Sequence, residues 1–524
     1  FPPVSFLSLH HLCLLLPSLP TDATAVRVLL SGDFKVSQAE TRPGNDASDQ
    51  LGAAAMEASL RAHRPAALLI FAFLSLLSVS SSAAQEIQIL NAERRIDLSS
   101  QVAIVFLTLK VENTGKAAAS DVLLAFPPTE AEHLAEVKAQ AASGKKRKKT
   151  YAHLIVEPTD VPDAPNGAKG FRLALHNPLS PGETTTIEVL YMLTHSMEPF
   201  PAEISQSDPQ LVYYRDSAYI LSPYRIKQQT TFIKTPSTNV QSFSRVEPTN
   251  RAGMELKYGP YEDLPAYSYS PVLVHFENNN PFAVVEELVR EVEISHWGNL
   301  QITEHYTLAH GGAKLKGVFS RVDYQSRPSA SGVSSFKNLL ARLPPRVHSV
   351  YYRDEIGNIS SSRLRTDSRK SELEIEPRYP LFGGWKSTFI IGYGLPLEDF
   401  LFESTDGKRY LNFTFGCPLS GTVVDKLTLK VVLPEGSKDP SAVIPFPVEE
   451  HMETKYSYLD VVGRPVLVLE KKNVVPEHNI PFQVYYTFNP IFMLAEPLML
   501  VSTVFFLFAS CVAYLHIDIS IRKG

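Results

Sequence analysis

Hydrophobic and polar residues alternate along much of this chain with a period of two. In Thr186-Ile187-Glu188-Val189-Leu190-Tyr191-Met192-Leu193, the residues Ile187, Val189, Tyr191 and Leu193 line one face, the pattern of a half-buried strand. The runs Gln101 to Val111, Leu427 to Leu433 and Val466 to Leu469 behave alike, and proline or glycine brackets most of them. Helical periodicity is scarce, with Glu130 to Ala142 and Ser335 to Ala341 the best short candidates. The pattern predicts a mainly β protein of antiparallel strands packed as two-sheet sandwiches.

The chain also matches itself. Ile96-Asp97-Leu98-Ser99 aligns on Val292-Glu293-Ile294-Ser295, and Pro178, Leu179, Gly182, Thr186, Tyr191 and Leu193 align without gaps on Pro380, Leu381, Gly384, Thr388, Tyr393 and Leu395. Thr231 to Lys234 meets Thr428 to Val431, and Pro271, Val274 and Phe276 meet Pro481, Val484 and Tyr486. Offsets of 196, 202, 197 and 210 residues predict a tandem duplication, with one β domain over 85–280 and a second over 281–490. The polar cluster Asn278-Asn279-Asn280-Pro281 suits the turn between them.

Two segments break the alternation. The first methionine is Met56, so residues 1–55 are set apart from the fold, either as an upstream leader or as a fragment of a longer product. From Met56 a short basic region, an apolar run from Ala66 to Leu77 and the small residues Ser82, Ala83 and Ala84 give the three-part layout of a secretory signal over 56–84, cut between Ala84 and Gln85. At the other end, Pro497 to Leu515 is free of charge, and its 19 residues span roughly 28 Å as a helix, close to a bilayer core. Glu496 and Pro497 mark one membrane boundary, and Arg522 and Lys523 mark the other, in a tail over 516–524. Cations just past an apolar span favour the cytosolic side, which predicts a single-pass type I protein with its β domains in the lumen.

Composition narrows the function by exclusion. A net charge of -5, from 50 basic and 55 acidic residues, argues against a nucleic-acid partner held by global charge. Three scattered cysteines make neither a disulfide framework nor a thiolate zinc site. Zincin, nucleophile-elbow, Walker and dinucleotide motifs are missing, so no cofactor is expected. His296, His305 and His310 are spaced by nine and five residues, which puts neighbours on opposite faces of any continuous strand. Asp399, Glu403 and Asp406 are the carboxylates that a rival reading as a lumenal hydrolase would use. A type I adhesion or cargo receptor is a second rival. The basic run Lys145 to Lys149 is expected to be a solvated loop between a strand ending before Lys138 and one beginning near Tyr151, the alternative being a contact with anionic lipid headgroups or an acidic partner. Tyrosines at 213, 214, 219, 224, 258, 261, 267 and 269 suit either a contact surface or a core. Sequons stand at Asn358-Ile359-Ser360 and Asn412-Phe413-Thr414, which makes Asn358 and Asn412 the expected glycosylation sites.

Longer strings carry more information. Ser295-His296-Trp297-Gly298-Asn299, Leu315 to Gln325 (LKGVFSRVDYQ), Val350 to Asn358 (VYYRDEIGN) and Pro380 to Lys386 (PLFGGWK) closely resemble the ribophorin I family, in order, within a likeness running from about Gln85 through the membrane segment. That resemblance implies a non-catalytic subunit of the oligosaccharyltransferase complex of the endoplasmic reticulum membrane, which moves a preassembled glycan from dolichyl diphosphate to Asn in nascent chains. It implies as partners the other subunits, including the catalytic one, together with nascent polypeptides and the translocon. It also raises the standing of Asn358, which falls inside a matched string. Family members commonly continue past the membrane with a cytosolic segment, whereas this sequence stops at Gly524.

Overall fold

The computed structural model describes residues 87–143, 150–295, 297–327, 332–457 and 460–517. Strands dominate, and the alternation explains why. In the strand Thr184–Leu193, Ile187, Val189, Tyr191 and Leu193 are all buried, while Glu188 and Leu190 between them are partly exposed. A pleated strand can hide one face in this way while its amides pair sideways.

Residues 87–277 form a long sheet whose central ladder runs Thr249–Ala252, Glu255–Leu264, Ile226–Lys234, Ile87–Asp97, Ala103–Asn113, Thr184–Leu193, Leu134–Ser143. Residues 283–474 repeat that ladder strand for strand: Glu449–Lys455, Arg464–Val474, Val423–Val432, Ala283–Ser295, Asn299–His310, Lys386–Pro396, His348–Asp354. A second sheet faces each ladder. Val240–Phe243, Pro271–Glu277, Leu211–Ser217 and Met197–Pro199 form one, and Ser437–Val443, Pro481–Phe488, Arg409–Thr414 and Leu401–Glu403 form the other, in the same order. Even the bulge recurs, since register slips between Ile89 and Asn91 in one first strand and between Val285 and Glu287 in the other, 196 residues on.

Each ladder contains a pairing that alternation does not predict. Ile87–Asp97 pairs parallel with Ile226–Lys234, and Ala283–Ser295 pairs parallel with Val423–Val432. The sandwiches are therefore mixed rather than purely antiparallel, because the first strand of each repeat lies between its hairpin partner and a strand that returns after a long crossover. Separate apolar cores fill the two repeats, one centred on residues such as Val105, Leu109, Tyr214 and Phe276, the other on Ile302, Tyr306, Leu429 and Phe482.

The helix expectations need correction. Glu130 to Ala142 is not a helix; a single turn, Pro128–Ala131, gives way to the strand Leu134–Ser143. Ala, Glu and Lys favour helix, but pairing of this strand with Thr184–Leu193 and Thr150–Thr159 outweighs that weak preference. The strand also runs past Lys138, beyond the end expected before the basic run. Ser335 to Ala341 likewise leads into the strand Leu339–Leu343, while an unexpected short helix, Arg321–Ser326, starts where Ser320 accepts the Asp323 amide. The terminal helix runs Ala495–His516, preceded by a 3-10 turn over Pro490–Leu494. Pro497 is thus the third helical residue rather than the first, still within the turn whose amides lack intrahelical partners. Together these segments make one stretch, Pro490–His516, long and apolar enough to cross a membrane.

Candidate interaction seam and modification sites

The largest fully buried side chains among the described residues are two arginines at matching places in the two repeats. Arg94 falls in phase with the buried residues Ile87, Ile89, Ala92 and Ile96 of its strand, as Arg290 does with Val285, Leu288, Val292 and Ile294. Arg94 donates to the Tyr191 hydroxyl at 3.0 Å, to the Ser217 carbonyl at 3.1 Å and to Glu130 at 3.1 Å, and it lies 2.9 Å from Asp216. Burial opposes its charge, but the Asp216 carboxylate more than reverses this and holds it protonated. Burial, with the Asp216 carboxylate adding to it against Arg94, pushes Glu130 up to about 8, so Glu130 keeps its proton at neutral pH. Arg290 donates to Glu304 at 2.9 Å, to the carbonyls of Thr414 and Phe415 at 3.0 and 2.9 Å, and to that of Gly416. Tyr306 and Tyr393 donate to the same Glu304. The guanidinium groups of these clusters bond carboxyls and backbone carbonyls across the sandwich, so they tie sheet to sheet.

A seam joins the repeats. Val102 and Met192 of the first pack on Val423 and Val475 of the second. Gln101 donates to the carbonyls of Ala283 at 2.8 Å and Gly421 at 2.7 Å, and Glu203–Ile204 pairs as a short parallel strand with Lys314–Leu315. Among the described residues, two histidine–carboxylate contacts cross the seam: His478 Nε2 lies 2.7 Å from Glu136, and His195 lies 3.3 Å from Asp425. His478 Nδ1 accepts the Val475 amide at 3.1 Å, which puts the ring hydrogen of a neutral imidazole on Nε2. Burial would raise Glu136, yet the His478 imidazole 2.7 Å away outweighs it and holds the carboxyl below its ordinary value.

The residues singled out by sequence separate into several places. Asn358 is exposed, just past the strand His348–Asp354, where it bridges Arg353. Asn412 is half-buried within the strand Arg409–Thr414, opposite Gln483, and its amide donates to the Phe400 carbonyl. Glu496 meets Arg464 at 3.1 Å, at the entry to the terminal helix. Ala84, Gln85, Arg522, Lys523, His296 and the Lys145 to Lys149 run lie outside the described residues. His305 is exposed and His310 buried, on opposite faces of Asn299–His310. Asp399 is exposed and held by Arg346 at 2.9 Å, while Glu403 sits in register with Arg409, so these carboxylates are engaged separately. Among the described residues, no three His, Cys, Asp or Glu side chains gather as a metal site. Of the tyrosines, Tyr214, Tyr258 and Tyr261 are core residues and Tyr269 is exposed.

Sequence reasoning missed both arginine clusters and the seam. The arginines did leave a signal, since each holds an inward position in an apolar alternation, where a charge needs buried partners.

The Ribophorin I family model matches residues 87–515. The chain belongs to the ribophorin I family. It is 70% identical over 449 residues to a protein of Arabidopsis thaliana named dolichyl-diphosphooligosaccharide-protein glycosyltransferase subunit 1B, covering 86% of this chain and 97% of that one. A rice protein of the same name is 70% identical across 84% of this chain and 93% of its own length. Subunit 1 of Caenorhabditis elegans is 37% identical across 83% of this chain and 73% of its own length. Among solved structures, an M1 zinc metallopeptidase of Deinococcus radiodurans is matched over 39% of this chain and 42% of that one, at 13% identity and a TM-score of 0.24, too low to carry an argument. Nothing in these comparisons supports the hydrolase or receptor rivals. The ribophorin I family membership and the apolar terminal helix together fit a membrane-anchored protein.

Proposed function

We propose that this ribophorin I family member is subunit 1 of the oligosaccharyltransferase complex, assembling with the catalytic subunit and presenting nascent chains for N-glycosylation without bond-making chemistry of its own. The observation that carries this reading is the 70% identity, over 84 to 86% of this chain and 93 to 97% of each relative, to relatives named as subunit 1B of that glycosyltransferase. The reading continues to the chain's placement. Residues 56–84 act as a signal cut between Ala84 and Gln85, the β domains over 85–280 and 281–490 lie in the lumen of the endoplasmic reticulum, and the terminal helix spans the membrane with Arg522 and Lys523 on the cytosolic side. Its partners are the other subunits, nascent polypeptides and the translocon.

The deciding experiment is replacement of the endogenous subunit. This chain is expected to co-purify in a large detergent-solubilised assembly and to restore glycosylation of client proteins; a free monomer and unrestored clients would refute the reading. Orientation is checked separately by protease treatment of sealed microsomes, which should leave the β domains intact. Glycans are checked by Asn358→Gln and Asn412→Gln, each expected to remove one glycosidase-sensitive step in mobility. Asn358 is expected to be occupied more fully, because Asn412 becomes paired within a strand once the sheet closes.

A further inference from the structure

The second repeat approaches the terminal helix with an apolar rim that nothing described above uses. Trp297 follows the strand Ala283–Ser295 and turns the chain into Asn299–His310; Tyr456, Val461 and Val462 flank the connection from Glu449–Lys455 to Arg464–Val474; Ile491 lies in the turn before the helix. All five are between 60 and 71% exposed. Large apolar groups that exposed, gathered at one end of a sandwich, mark a contact surface rather than ordinary surface scatter.

Several contacts fix this rim to the start of the helix. Arg464 reaches Glu496 at 3.1 Å, Glu293 at 2.7 Å and Asp460 at 3.1 Å. Glu435 accepts the amides of Val461 and Val462 at 2.7 and 2.5 Å. Phe492 packs so closely on Gly436 that a Cβ there would lie 2.3 Å from its ring. Trp297, Phe492, Met493 and Glu496 line one cavity of about 140 Å³.

Length then sets the depth. The 22 residues of Ala495–His516 rise about 33 Å at ~1.5 Å each, which consumes a hydrocarbon core of about 30 Å. The preceding turn, and whatever touches it, falls in the headgroup layer, roughly 5–8 Å thick on each side. Tryptophan and tyrosine suit that layer, having an apolar ring and a polar edge.

We propose that this end of the second repeat rests on the bilayer, with Trp297, Tyr456, Val461 and Val462 seated at the boundary between headgroups and acyl chains. The inference rests on the terminal helix spanning the membrane. The lipid it fits is zwitterionic: among the described residues beside the apolar groups, Arg464 is already surrounded by Glu293, Asp460 and Glu496, and Lys455 by Glu291 and Glu293, so these two cations are already matched by carboxylates.

The chain has two tryptophans, Trp297 and Trp385, which makes the test direct. The full chain carrying W385F is reconstituted in phosphatidylcholine vesicles containing lipids brominated either high or low on the acyl chain. Trp297 should be quenched at least about two-fold more by the shallow label than by the deep one, unchanged when phosphatidylserine replaces part of the phosphatidylcholine. Should W385F fold poorly, the same quantity is the wild-type signal minus that of W297F. A second sample, F505W in a background lacking both native tryptophans, reports on the helix and should be quenched by the deep label. Deep quenching of F505W with Trp297 open to aqueous acrylamide and blind to both bromolipids would overturn the rim proposal and leave the membrane span standing. No quenching of F505W would overturn both.

Discussion

The two repeats bury the same cation in the same place and neutralise it differently. In the first, Arg94 sits opposite Leu107 and finds its carboxylate in Asp216, on the facing sheet, and a protonated carboxyl in Glu130, on the one-turn helix. In the second, Arg290 sits opposite Glu304, in the neighbouring strand of its own sheet, and reaches the facing sheet through backbone carbonyls after Arg409–Thr414. A tyrosine is retained at the same place, as Tyr191 bonded to the arginine in one and Tyr393 bonded to Glu304 in the other. What the duplication preserves is therefore the buried guanidinium and its span between sheets. The countercharge can move, because a guanidinium has five donors in a rigid fork and accepts partners from several directions.

The comparison implies unequal consequences when the cation is removed. Arg290→Met strands Glu304, which is fully buried and keeps only two tyrosine hydroxyls, and it orphans three carbonyls. A loss of about 3–5 kcal/mol is expected. Arg94→Met should cost less, about 2–3 kcal/mol, because Asp216 keeps the Tyr214 hydroxyl and the Ser217 amide and Glu130 is already protonated. Both tryptophans lie in the second repeat, so fluorescence-detected unfolding should register the Arg290 change and far-UV circular dichroism both. An equal or larger loss from Arg94→Met would break the comparison.

Glu130 sharpens it through pH. Its folded value, raised to about 8 from an ordinary 4.5, means that the folded chain binds more protons than the unfolded chain between those limits. The stability linked to this group is therefore full below about 4.5 and is lost as pH rises through about 8. Glu130→Gln, which mimics the protonated form, should gain on the parent by up to about 1.4 kcal/mol per pH unit across that window. Paired denaturation curves at pH 5.5 and 8 measure it, and a gap that does not widen toward high pH would remove the protonated carboxyl from the account.

How much of this was legible in the sequence depends on the range of the interaction. The strand Thr184–Leu193 was readable because alternation is local, and the recurrence of Tyr191 as Tyr393 was readable because it needs only self-comparison. The parallel pairing of Ile87–Asp97 with Ile226–Lys234 was not, since period two says which face is buried and nothing about which strand lies alongside. Leu134–Ser143 was misread for a related reason: its Ala, Glu and Lys content reports intrinsic preference, and two neighbouring strands overrode it. The sequons were visible as triplets, but the exposure that separates Asn358 from Asn412 is a property of the closed sheet.

The smallest expected effect concerns another matched pair, Asn113 and His310. They end equivalent strands, in register with Ile87 and Ala283, and each takes the amide of the glycine two residues on: Gly115 to Asn113 Oδ1 at 2.9 Å, Gly312 to His310 Nδ1 at 3.0 Å. Each also contacts a distant carbonyl, Leu179 for Asn113 at 2.7 Å and Ser334 for His310 at 2.5 Å. The roles match but the titration does not. Burial lowers the His310 value, and an imidazole whose Nδ1 accepts a hydrogen bond cannot be protonated there without losing it. The stability His310 contributes is thus present above its ordinary value of 6.5 and declines as pH falls through the lower folded value. His310→Asn keeps the glycine contact but is too short for Ser334, so it should cost about 1 kcal/mol at pH 7.5. In acid that deficit should shrink, because asparagine has no proton to gain. If the deficit instead stays constant from pH 7.5 down to 5, the imidazole serves only as a shape, and the two repeats differ here in size rather than in proton chemistry.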